Sequence, residues 1–117
     1  MATKAMIAAS TKPLVLSILL HGRNYGYRII QEVERLSEGE LEWTDAMLYP
    51  VLKRMEKESL IRSHWVKTDS GRKRKYYEIT DTGRAFLAEE RRQWLRVTRV
   101  FRTLWESDGP SLELTAE

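Results

Sequence analysis

Two clusters of side chains have types and spacings that suit contact with a polyanion. In "TDAMLYPVLKRMEK", Thr44, Ala46, Tyr49, Lys53 and Lys57 offer a hydroxyl, a small surface, a phenol and two ammonium groups within one short segment. In "RSHWVKTDSGRKRK", Arg62 to Lys75, six cations stand against the single acid Asp69. That local charge of +5 exceeds the +3 carried by the whole chain. Cations at this density neutralise phosphates, and small or aromatic side chains at a helix start reach base edges. The chemistry expected is therefore recognition of duplex DNA. Lys53 and Lys57 would meet phosphate, and Tyr49 would give its hydroxyl to phosphate or its ring to a thymine methyl. Thr44 and Ala46 lie near the helix start, where base edges come closest. Arg72, Lys73, Arg74 and Lys75 would straddle the next backbone or enter a narrow minor groove.

Chemistry of bond making and breaking has no comparable support. With no cysteine, the chain has neither disulfide nor thiolate ligand. His21 and His64 are too isolated to form a metal site, and no carboxylate pair comes with a nucleophile or a phosphate loop. Glu38, Glu40 and Glu42 read as an exposed acidic patch. No catalytic activity, metal or cofactor is expected.

The elements that must position the basic clusters follow from periodicity. The 117 residues suffice for one domain with one modest core. The longest apolar run, Leu14 to Leu20, is broken by Ser17 and is too short to span a membrane. No export signal is evident, so a cytoplasmic location is expected. The first 21 residues predict a helix apolar around most of its circumference, with Pro13 kinking it or restarting it and Gly22 ending it. "NYGYRIIQEVERLSEGE" predicts a second helix capped by Asn24 and ended between Ser37 and Glu40. "ELEW" alternates as a short strand would. Thr44 caps a third helix, in which Leu48, Val51, Leu52 and Met55 form the core stripe and Ala46, Tyr49, Pro50, Lys53 and Lys57 fall on or beside the opposite face. Pro50 forfeits a bond to the Ala46 carbonyl and should loosen the first turns.

"RSHWVK" and "RKYYEI", joined by "TDSGRK", predict a β-hairpin with Trp43 and Trp65 packed at its base. Tyr25 and Tyr27 are expected to fix the second helix against the first, with Tyr25 within reach of a phosphate. Thr80 then caps a helix to about Trp105, along which Leu87, Trp94, Val97, Phe101 and Leu104 repeat as a heptad seam. A helix of about 25 residues is about 37 Å long and outruns a small core. This seam and the apolar first helix both call for a second copy. The fold class expected is mainly α with a small β-hairpin wing: a winged helix-turn-helix over residues 1–79, a dimerisation helix over 80–106, and a disordered tail over 107–117.

Several motifs in this order resemble those of PadR-type transcriptional regulators. "NYGYRII" resembles their Tyr-Gly-Tyr start of the second helix, "MLYPVLKRMEKESLI" their recognition-helix motif, and "RKYYEITDTG" their strand and final-helix cap. The likeness runs from about Leu14 to Leu104. Ser59 stands where a glycine is common, which implies a left-handed conformation there, and Met55 where leucine is common. The single C-terminal helix resembles the compact subfamily that includes multidrug-responsive repressors. The resemblance implies a homodimeric repressor reading a pseudo-palindromic operator. It also implies that Trp94 and its symmetry mate hold a flat apolar ligand, in a slot lined by Leu87, Glu90, Val97 and Met6 or Ala9, with Glu90 serving a cationic aromatic. The alternative is a regulator of the same fold without an effector, in which the Trp94 seam only packs.

Overall fold

The computed structural model describes residues 3–106; the tail expected over 107–117 lies outside them. Four helices and a three-stranded antiparallel sheet follow in the order α1 (Lys4–Leu19), β1 (Asn24–Tyr25), α2 (Gly26–Leu36), α3 (Asp45–Lys57), β2 (Ile61–Lys67), β3 (Lys73–Ile79) and α4 (Asp81–Trp105). The sheet order is β1-β3-β2. This is a winged helix-turn-helix with a long C-terminal helix.

Two of the three expected caps form. The Thr44 hydroxyl accepts from the Met47 amide and the Thr80 hydroxyl from the Gly83 amide, each answering an orphan donor of the first turn. Ser59 adopts φ 63°, the left-handed turn expected where α3 gives way to β2. Leu48, Leu52 and Met55 are fully buried and meet Val15, Leu16, Leu19 and Ile29 from α1 and α2.

Other local expectations yield to longer-range structure. Both α1 and α3 run unbroken through their prolines. Ala9 and Ala46, whose carbonyls lose a donor to Pro13 and Pro50, are both exposed, so water can serve those oxygens, while buried leucines on the opposite side hold each helix on course. "ELEW" forms no strand. The Leu41 amide donates to the Ser37 hydroxyl instead of to a ladder, and the place beside β3 is taken by Asn24 and Tyr25, paired with Tyr77 and Tyr76. Asn24 is therefore a strand residue and its side chain accepts from the Tyr25 amide; the α2 cap position falls to Tyr25.

Trp43 and Trp65 do not pack together at the hairpin base. Trp43 is buried in the core and lines a cavity with Ile7, Thr11 and Met47, on the α1 side of α3. Trp65 is 64% exposed.

Candidate nucleic-acid interface

The core stripe of α3 turns Ala46, Tyr49, Pro50, Lys53 and Lys57 outward, and all five are exposed, as is Thr44. Tyr49 is not simply a phenol in water. A Cβ added at Gly26 would lie 2.5 Å from its hydroxyl oxygen, so the absent side chain in "YGY" makes room for the tyrosine of "LYP". Burial, and secondarily the Asp45 carboxylate, raise the Tyr49 pKa. The phenol thus stays protonated at neutral pH and available as a donor.

The hairpin stands beside this helix, and its pairing register sorts the side chains by face. Ile61, Ser63, Trp65 and Lys67 oppose Ile79, Tyr77, Lys75 and Lys73. Because side chains alternate, these eight share one face, whose lower half is core: Ile61, Tyr77 and Ile79 are buried. Burial, together with Glu56 and Tyr49, pushes the Tyr77 pKa up to about 12. Glu56, near the end of α3, accepts from the Ser63 hydroxyl, and its other oxygen lies 3.8 Å from the Lys75 ammonium. Helix α3 and the hairpin are therefore joined by side-chain contacts.

On the other face, β1 ties the hairpin to the start of α2. Tyr25 meets Tyr76 edge to face at 5.4 Å, the Arg74 guanidinium lies 4.1 Å from the Tyr25 ring centroid, and Arg23 lies over Tyr76 and within 3.1 Å of the His64 ring nitrogen. Tyr25 and Tyr27 thus do not clamp α2 against α1. With Thr68, Ser70, Arg72, Lys73 and Arg74 they line a concavity between α2 and the hairpin tip, and Tyr27 is 60% exposed. The stack depends on the register of a two-residue strand, which no periodicity in the sequence announces.

At the opposite end of the molecule, α1 and α4 enclose a cavity of about 590 Å³. Of the residues expected around a slot between two copies, Met6, Leu87 and Trp94 line this cavity of a single copy, and Glu90, Val97 and Ala9 lie outside it. Its remaining walls are mostly Pro13, Leu14, Leu20 and Leu41, and among the described residues its charged lining group is Arg91. At 100° per residue, moving from Glu90 to Arg91 reverses the sign of charge offered to an occupant. From Arg91 to the end of α4 at Trp105 every residue is exposed, including Trp94, Val97, Phe101 and Leu104 of the seam. Phe101 and Trp105 stack at 4.7 Å. Among the described residues, no helix is long and apolar enough to cross a membrane, and no group of three or more His, Cys, Asp or Glu residues could hold a metal ion.

Known proteins share both sequence and arrangement. The profile of the transcriptional regulator PadR-like family matches residues 15–89. An uncharacterised protein of Lysinibacillus sphaericus is 34% identical over 87 residues, which make up 74% of this chain and 80% of the relative. A PadR-like transcriptional regulator from Bacillus cereus superposes with a TM-score of 0.79 at 28% identity, covering 90% of this chain and 100% of its own. A PadR family transcription regulator from Clostridium difficile does so with a TM-score of 0.72 at 31% identity, covering 81% and 97%.

Proposed function

This chain belongs to the PadR-like family of transcriptional regulators, and we propose that it works as a homodimeric repressor whose grip on operator DNA is relieved by a small planar effector. The observation that carries the DNA reading is the continuity of α3 with a hairpin of local charge +5. An exposed helix end with Tyr49, Lys53 and Lys57 suits the major groove, and Arg72, Lys73, Arg74 and Lys75 suit the flanking backbone. The 1–79 unit is the DNA-binding module and the helix over 80–106 the dimerisation element. Its unburied heptad seam favours pairing with a second copy, which sets two modules on half-sites about 34 Å apart.

Because phosphate contacts release counterions, affinity measured by fluorescence anisotropy on the chain's own promoter duplex should fall steeply with salt. The Lys53→Ala/Arg72→Ala double variant should bind more weakly, with a log–log salt slope shallower by about 1.8. An unchanged slope would remove both residues from the interface.

The α1–α4 cavity falls within the range of about 300–1,000 Å³ usual for small-molecule sites. Its charged lining residue, Arg91, favours a flat aromatic carrying a negative charge. Pairing through α4 would place a second Trp94 near the first and narrow the open side. Ligand entry then shifts the population between dimers that fit the operator spacing and dimers that do not. We expect 2-naphthoate to quench tryptophan emission in the wild type. Quenching should vanish in Trp94→Phe and require about tenfold more ligand in Arg91→Gln. Equal quenching in Arg91→Gln would argue for a neutral effector.

A further inference from the structure

Among the described residues Trp65 is the most exposed large apolar side chain outside α4, and neither the core nor the α4 seam accounts for it. We propose that it is a DNA-contacting residue, an apolar plate that rests on the deoxyribose wall between the groove read by α3 and the groove approached by the hairpin tip; this rests on the DNA-binding reading above.

The argument begins with its place in the sheet. Trp65 sits directly opposite Lys75, with Lys67 two residues further along β2 and Lys73 facing Lys67. All four lie on the face that packs against α3 lower down, where Ile61 and Ile79 are buried. Glu56 of α3 reaches the hairpin at Ser63 and at Lys75, yet Trp65, directly opposite Lys75, is left 64% exposed, with Lys67 and Lys73 next along the same face toward the tip. An indole in that position has no intramolecular reason to be large, and exposed aromatics set in a polar surround commonly mark interaction surfaces.

The surrounding charges say what kind of surface fits. Lys73 and Lys75 are two residues apart on one strand and so about 6.8 Å apart along it, comparable to the separation of neighbouring phosphates on one DNA strand. An occupant that places one phosphate on Lys73 and the next on Lys75, whose ammonium turns from Glu56 3.8 Å away, lays the apolar face of a sugar over Trp65 on the neighbouring strand. The lysines supply the charge-neutralising contact and the indole fills the uncharged space between. A protein partner would have to offer acidic groups at the same regular interval around an apolar centre. A duplex has this pattern built in at every step, so the contact is independent of base sequence.

The two kinds of contact separate experimentally, because an apolar contact releases no phosphate counterions and should leave the salt slope alone. Anisotropy titrations of a labelled 30-base-pair duplex at several salt concentrations would compare wild type, Trp65→Phe, Trp65→Ala and Lys73→Ala. The expected result is about tenfold weaker binding for Trp65→Ala at every salt concentration with an unchanged slope, most of it restored in Trp65→Phe. Lys73→Ala should lower the slope by about 0.9. DNA should also quench wild-type emission and quench Trp65→Phe markedly less. Melting temperatures should match the wild type, because the exposed ring holds nothing in the fold. Wild-type affinity retained in Trp65→Ala, or a loss accompanied by a lower melting temperature, would overturn the contact while leaving the DNA-binding reading intact. Absence of binding by the wild type itself would overturn the reading on which the contact rests.

Discussion

Phe101→Asp is expected to yield a folded monomer that binds a two-half-site duplex at least about 100-fold more weakly than the wild type. Phe101 lies on the outer part of α4, where all residues from 91 to 106 are exposed, and its ring contact is with Trp105 one turn on. Its removal therefore costs the protomer little core. If α4 pairs with a second copy along Trp94, Val97, Phe101 and Leu104, a carboxylate in the seam would be buried opposite its own symmetry mate, an arrangement both desolvated and repulsive. Separating the modules replaces one bivalent grip with two independent weak ones, and linkage of this kind contributes about 10²–10⁴ in affinity. Sedimentation velocity at micromolar concentration would report the wild type as a dimer and the variant as a monomer. A variant that remains dimeric would move the interface away from this seam.

The second large effect is on stability. Gly83→Ala should lower stability by about 3 kcal/mol or more and the melting temperature by about 12 °C or more. A Cβ at this position collides with the Leu60 carbonyl oxygen and approaches the Ile79 side chain at 2.9 Å. The carbonyl cannot swing aside like a side chain, because it accepts from the Thr80 amide and shares the single Thr80 hydroxyl proton with the adjoining Ser59 carbonyl. The start of α4 is thus locked onto the first residues of the hairpin, and only a hydrogen in place of a side chain permits the approach. A thermal melt followed by circular dichroism measures the effect. A variant as stable as the wild type would mean that the α4–β2 junction relaxes without cost.

Local signals in the sequence proved sufficient wherever a single residue type answers a single backbone need. Thr44 and Thr80 announced the starts of α3 and α4, and the cluster around Gly71 the tip of the hairpin, whereas the left-handed turn at Ser59 was legible only through the resemblance to a family in which glycine is common there. The core stripe of α3 was legible for the same reason, since it repeats with the helical period. What could not be read were contacts that depend on two distant segments meeting. Asn24 and Tyr25 are too few to show a strand period and become β1 only because β3 lies beside them. "ELEW" has the alternation but not the neighbour. The fit of Tyr49 over Gly26 joins residues 23 positions apart, and nothing in either motif alone reveals it.

At the α1–α4 cavity the residue types were anticipated but not their azimuth. Periodicity places Leu87 and Trp94 on one side of α4, yet the choice between Glu90 and Arg91 depends on how α4 crosses α1. A helical wheel has no information on that angle. The exposure of Trp65 escaped notice for a related reason: a hairpin rich in aromatics reads as packed along its whole length, and only the position where α3 ends shows how much of it projects.

The contacts of Glu56 with Ser63 and Lys75, and the Arg74–Tyr25–Tyr76–Arg23 stack on the opposite face, bind α3, the hairpin and the start of α2 into one solid piece. In the proposed dimer each module would behave like the jaw of a pair of calipers: its profile fixed, and only the gap to the other jaw adjustable. Under the proposed regulation, a hinge far from the jaws suffices to tune the instrument, and the tips need not change shape at all.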